Sequence, residues 1–150
     1  MKSPFSILIV CFFSLQVFAQ ESPEKIMEGR AREMARVIGL NDKEQWKKFI
    51  QENFTQAFIN KNMKVKVVNS DANDGETVQE TTEADNLEAK AAMFSRLHDD
   101  FGNGKITSLK ASTNKIEMVI DASQLKGTFI LTFESKKPYL IEGLGIQAGN

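Results

Sequence analysis

The chain has 150 residues, 41% of them hydrophobic, with 19 basic and 20 acidic side chains, a net charge of −1 and one cysteine. A near-neutral chain lacks the basic face that releases counterions from a phosphate backbone, so composition argues against nucleic-acid binding. A chain of this size can bury roughly two-thirds of its unfolded surface as one domain, and a lone cysteine offers no internal disulfide to staple it.

Lys2 precedes an apolar run from Phe5 to Phe18, and Val17-Phe18-Ala19 ends in the small-residue pattern that a signal peptidase reads. Residues 1–19 therefore read as a signal peptide cleaved near Ala19, with an exported product, periplasmic or extracellular. Cleavage removes Lys2 and Cys11, so the mature chain has no thiol chemistry and carries one more unit of negative charge. The run is short for a bilayer span, and nothing later approaches about 18 consecutive apolar residues, so no membrane anchor is expected after cleavage. Ile9-Val10 before Cys11 lacks the small residues of a lipoprotein signal. Residues 20–150 are expected to form a single α+β domain.

Ser22-Pro23 starts a first helix, with a hydroxyl to cap free amides and proline at the first helical position, and Met27, Ala31, Met34 and Ile38 recur at helical spacing before Gly39. Asn41 with Glu44 reads as the capping box of a second helix, whose apolar stripe is Trp46, Phe49, Ile50, Phe54, Ala57 and Phe58. Met63, Val65 and Val67 alternate with lysines as a short strand, and Asp74-Gly75 could turn it back. Asp71, Asp74, Glu76, Glu80, Glu83, Asp85 and Glu88 follow with no Lys or Arg between them, the pattern of a solvated acidic loop. It is not an EF-hand: counted from Asp71, Glu76 occupies the glycine position and Thr82 the bidentate glutamate position.

A third helix is expected from Asp85, with Glu88 completing a capping box and Leu87, Ala91, Phe94, Leu97 and Phe101 on its buried side. Asn103-Gly104 then turns into strands at Ile106 to Ala111, at Ile116, Met118 and Ile120, at Phe129, Leu131 and Phe133, and at Leu140, Leu144 and Ile146. The polar breaks between them are too short for crossover helices, so the strands form a four-stranded antiparallel meander. Three helices laid on one face of that sheet bury all the stripes.

The order helix, helix, short strand or hairpin, helix, four strands resembles the NTF2-like (cystatin-like α+β) cone, in which a curved sheet wraps a long helix. A narrower likeness lies in Phe94 to Gly102, Lys115 to Val119, Thr128 to Phe133 and the ending Ile141 to Ile146. These stretches are similar to the small domain that precedes the catalytic domain in some exported bacterial serine hydrolases of the β-lactamase-like class. The chain ends at Asn150, where such a protein continues into its hydrolase, so the resemblance implies an accessory domain and transfers no catalytic residue.

The chemical motifs fail individually. Ser22-Pro-Glu-Lys25 and Ser112-Thr-Asn-Lys115 have Ser-x-x-Lys spacing, but the first serine is a helix cap and the second lies in a strand turn, where lysine is not one helical turn away. No Ser-Asp-Asn or Lys-Thr-Gly element accompanies them, and no Gly-x-Ser-x-Gly elbow serves His98, the only histidine. Gly102-Asn-Gly-Lys105 lacks the Ser or Thr and the upstream glycine of a P-loop. One histidine and no mature cysteine exclude the common structural zinc sets, and His98, Asp99 and Asp100 diverge around a helix. No cofactor and no catalytic set are expected.

Two polar residues interrupt the apolar stripes. His98 follows Phe94 by four and precedes Phe101 by three, and Asn53 follows Phe49 by four and precedes Ala57 by four. A buried polar group left unpaired costs about 1–3 kcal/mol, so each requires a protein group, a water or a ligand. The favoured reading is that they bond protein or water and fix helix packing. The alternative is an apolar cone pocket for a small ligand, oriented by Asn53 and His98, walled by Phe94, Met118, Phe129 and Phe133, with Tyr139 at the rim. A more distant one is an isomerase or dehydratase that moves a proton on His98. The leading expectation is an exported non-catalytic module that acts through a protein partner or as a homodimer.

Overall fold

The computed structural model describes residues 21–61 and 83–149. The signal segment, the strand at Met63 to Val67, the Asp74-Gly75 turn and the acidic residues from Asp71 to Glu80 lie outside the described residues.

Helix α1 (Pro23–Ile38) begins as its sequence dictates: Ser22 caps it by accepting the Lys25 amide at 3.4 Å, and Met27, Ala31, Met34, Val37 and Ile38 are buried. Helix α2 (Lys43–Asn53) is capped by Asp42 rather than Asn41, because the Asp42 carboxylate accepts the amides of Glu44 and Gln45 at 3.0 and 3.1 Å. The second stripe does not continue as one helix. Phe54 turns extended and pairs in parallel with Ile141, the Thr55 amide donates to the Ile141 carbonyl at 2.9 Å, and the Thr55 hydroxyl caps a new short helix, α3 (Gln56–Asn60). Ala57 is consequently exposed and Ile59 takes the buried position. Four helices, not three, are therefore present among the described residues.

Helix α4 (Glu83–Phe101) already contains Asp85, so the expected start there is displaced and Glu83, expected in the acidic loop, belongs to the helix. The Glu88 carboxylate pairs with Lys43 at 2.6 Å and with Lys47, tying α4 to α2. Strands β1 (Lys105–Ser112), β2 (Lys115–Asp121), β3 (Lys126–Phe133) and β4 (Ile141–Gly149) form one antiparallel sheet in the order β1-β2-β3-β4, the expected meander. Ile116, Met118 and Ile120 of β2 and Phe129, Leu131 and Phe133 of β3 are buried, and their alternate neighbours point to the other face. The last strand begins at Ile141, one residue after Leu140. A register shift at Thr132/Phe133 sets Ile141 opposite Phe133 and Leu144 opposite Leu131. Helix α1 lies against β1 and β2, α3 lies against β4, and α4 packs on the three other helices. The architecture is α+β, helices followed by a four-stranded antiparallel meander.

Candidate functional site

The seven residues singled out in the sequence separate into two groups. Phe94, Met118, Phe129 and Phe133 are at most 1% exposed and belong to the continuous hydrophobic core. Asn53, His98 and Tyr139 are half-buried. Tyr139 lies in the β3–β4 connection with φ of 57°, its amide donating to the Lys136 carbonyl at 2.9 Å.

His98 faces the end of α1. Its Nδ1 lies 2.8 Å from the Ile38 carbonyl oxygen, which can only accept, so Nδ1 carries the proton. The imidazole is also 5.9 Å from the Trp46 ring, and the Trp46 indole N–H donates to the adjacent Val37 carbonyl at 2.9 Å. Two glycines make room for this meeting. A Cβ on Gly102 would fall 2.6 Å from His98 Nδ1, and one on Gly39 would fall 3.2 Å from the Gly102 carbonyl oxygen. The final carbonyls of α1, which have no partner within their own helix, are thus served by side chains of α2 and α4.

Asn53 is likewise engaged. Its Nδ2 donates to the Phe49 carbonyl at 3.0 Å, and its Oδ1 accepts from Arg30 Nη1. The second Arg30 nitrogen, Nη2, donates to the Pro138 carbonyl at 3.1 Å, so one guanidinium joins α1, the end of α2 and the β3–β4 connection. Burial lowers the Arg30 pKa and the nearby Glu134 carboxylate opposes that shift. Arg30 Nε is buried without a partner among the described residues.

A third polar contact was missed by sequence reasoning. Lys90, 3% exposed, donates to the Lys61 carbonyl at 2.7 Å and stands 5.0 Å above the Phe58 ring, and Asn86 Nδ2 reaches the Asn60 carbonyl at 3.4 Å. Burial, reinforced by the charge of Lys61, holds the Lys90 pKa below the usual lysine range. The signal was readable, since Lys90 is three residues after Leu87 and four before Phe94, within the same stripe as His98.

Two surface depressions adjoin these residues. One, of about 440 Å³, lies between α3 and the start of β4, with Thr55, Lys61, Thr132, Glu134 and Glu142 on its walls. The other, about 330 Å³, lies between α1 and α2 and is edged by Asn53 together with Glu33, Arg36, Lys48 and Glu52. His98, Phe94, Met118, Phe129, Phe133 and Tyr139 line neither. Among the described residues, no three His, Cys, Asp or Glu side chains are grouped to hold a metal ion, and no helix is long and apolar enough to cross a membrane. No known protein family, no curated protein and no solved structure matches the chain.

The other face of the sheet borders α3 at one end, where Thr132 shares a depression with Ala57 and Phe58. Its outward residues include Val119, Thr128, Ile130 and Thr132, all half-buried, beside Gly143 and Gly145 of β4. The chemistry available there is contact, through an uncharged patch on β3 and β4 beside the lysines and acids of β1 and β2.

Proposed function

We propose that this chain is an exported accessory or interaction module of NTF2-like type that acts by protein association or self-association. The observation that supports this reading is the composition of the meander's outer face, where Val119 and Ile130 lie among threonines and glycines. A sheet face left to water alternates more strictly between apolar inside and charged outside. The polar side chains that break the helical stripes have protein partners: His98 serves Ile38, and Asn53 serves Phe49 and Arg30. Export rests on the Lys2, Phe5 to Phe18 and Ala19 pattern.

Native mass spectrometry on the protein purified gently from its own cell envelope tests the reading in one spectrum. The expected result is a chain cleaved near Ala19 that travels as a ligand-free dimer or hetero-complex. A strictly monomeric chain carrying a discrete small-molecule adduct, lost on denaturation, would overturn it in favour of a ligand carrier.

A further inference from the structure

The register of the sheet arranges its outer face as a grid of four rows. Reading from β1 to β4, the rows are Lys105, Asp121, Lys126, Gly149; then Ser108, Val119, Thr128, Gln147; then Lys110, Glu117, Ile130, Gly145; then Ser112, Lys115, Thr132, Gly143. The central two rows of β3 and β4 carry no charge. Gly145 leaves a shallow gap there: a Cβ built on it would meet nothing nearer than Ile130 at 3.9 Å.

We propose that this face is a homodimer interface, in which a second copy packs sheet to sheet about a two-fold axis that crosses the strands between the second and third rows. This deepens the association reading above and rests on it. The choice of a second copy comes from charge and shape. About that axis the first row lies over the partner's fourth and the second row over its third. Asp121 then faces a partner Lys115, no lysine faces a lysine and no acid faces an acid. Lys115 already holds Glu117 at 2.7 Å and has donors left for a second carboxylate. Ile130 meets a partner threonine, and Gln147 enters the gap over the partner's Gly145. The other two-fold arrangement, with its axis along the strands, also sets Asp121 against a partner lysine, Lys126, but lays Lys110 over Gly145 and Glu117 over Ile130, so charged side chains take the positions that Gln147 and Thr128 fill about the first axis.

Area sets the expected strength. Strands about 4.8 Å apart with eight residues at about 3.3 Å give a face of roughly 500 Å² in projection. Two such faces reach about 1,000 Å² in total, the lower bound of a specific interface. The dimer is therefore expected to dissociate in the micromolar range.

The test is sedimentation of the mature protein from about 1 to 200 μM, alongside Gly145→Arg and Gly29→Arg. Both sites are exposed, and a Cβ on Gly29 meets nothing within 4 Å. The expected result is a concentration-dependent dimer for the wild type and Gly29→Arg, and at least a tenfold weaker one for Gly145→Arg at unchanged circular dichroism. A second readout does not depend on that variant folding. Gln147→Cys, in a mature chain without other thiols, should be joined to its own copy by a short bismaleimide. A monomeric wild type overturns the proposal, and the association reading then rests on whether a hetero-complex is captured. A dimer indifferent to Gly145→Arg, or a dimer that Gln147→Cys does not crosslink, overturns the proposed face or its axis.

Discussion

Replacing Asn53 with alanine separates a structural amide from a ligand-binding one. The change removes the acceptor of one Arg30 nitrogen and the donor to the Phe49 carbonyl. A neutral hydrogen bond contributes about 1 kcal/mol and one to a charged group about 1.5–3 kcal/mol, but both groups are half-buried and water recovers part of the loss. The expected destabilisation is about 2 kcal/mol, which for a domain of this length lowers Tm by roughly 6 °C. Urea unfolding followed by the fluorescence of Trp46, the only tryptophan and 4% exposed, reads it directly. Arg30→Met, which keeps the apolar stem, closes a double-mutant cycle with an expected coupling of about 1 kcal/mol. Asn53→Asp should fall between wild type and alanine, because it strengthens the pairing with Arg30 while setting a carboxylate against the Phe49 carbonyl. A loss below about 0.5 kcal/mol with no coupling to Arg30 would refute the reasoning, since the amide would then be free to serve something else.

Three further outcomes follow from the same geometry. His98→Leu should destabilise by about 1 kcal/mol through loss of the bond to the Ile38 carbonyl, and Gly102→Ala should do at least as much by pushing a methyl group against the imidazole; thermal melts of both variants check this. Gly127→Ala, whose new Cβ would lie 2.6 and 2.7 Å from two Phe101 ring carbons, should cost about 1–3 kcal/mol in urea unfolding and be substantially rescued by Phe101→Leu. Lys90 has a folded pKa held down by burial and then by Lys61, so between that value and the usual lysine range the unfolded chain binds more protons and stability rises with pH. The stability of wild type relative to Lys90→Met should therefore shift toward wild type as pH rises from about 7 to 10, and a flat difference would contradict the assignment.

The sheet was legible because period two has little competition. Ile116, Met118, Ile120 and Phe129, Leu131, Phe133 alternate without exception, and short connections leave only antiparallel neighbours. The helices were legible in their faces and less so in their ends. Asn41 and Asp42 are both competent caps, and the backbone that reaches Glu44 and Gln45 belongs to Asp42. The break at Phe54 has no local cause that periodicity detects. Phe54 sits in register with the stripe, and it leaves the helix because its backbone pairs with Ile141, a residue 87 positions away, while Thr55 supplies the next cap. Positions 53 and 98 were recognised as polar intrusions, but a sequence cannot name a backbone carbonyl on another helix as the partner.

That partner explains why several intrusions exist. Helix α1 ends at Ile38 with Gly39 in right-handed geometry at φ of −65°, and the Leu40 amide returns to the Val37 carbonyl at 3.0 Å. Trp46 adds a second donor to Val37, and His98 serves Ile38. The short helix α3 ends at Asn60, and the Asn60 and Lys61 carbonyls receive Asn86 and Lys90 from α4. The end of α1 is buried, with Val37 2% and Ile38 0% exposed, and an orphan carbonyl there costs as much as a lost hydrogen bond. Donors projected from apolar stripes meet that need. They place α4 along its axis, with Asn86 and Lys90 fixing one end on α3 and His98 fixing the other on α1. The described helices are thereby tied to one another through backbone carbonyls, and the proposed association would act through the sheet's other face.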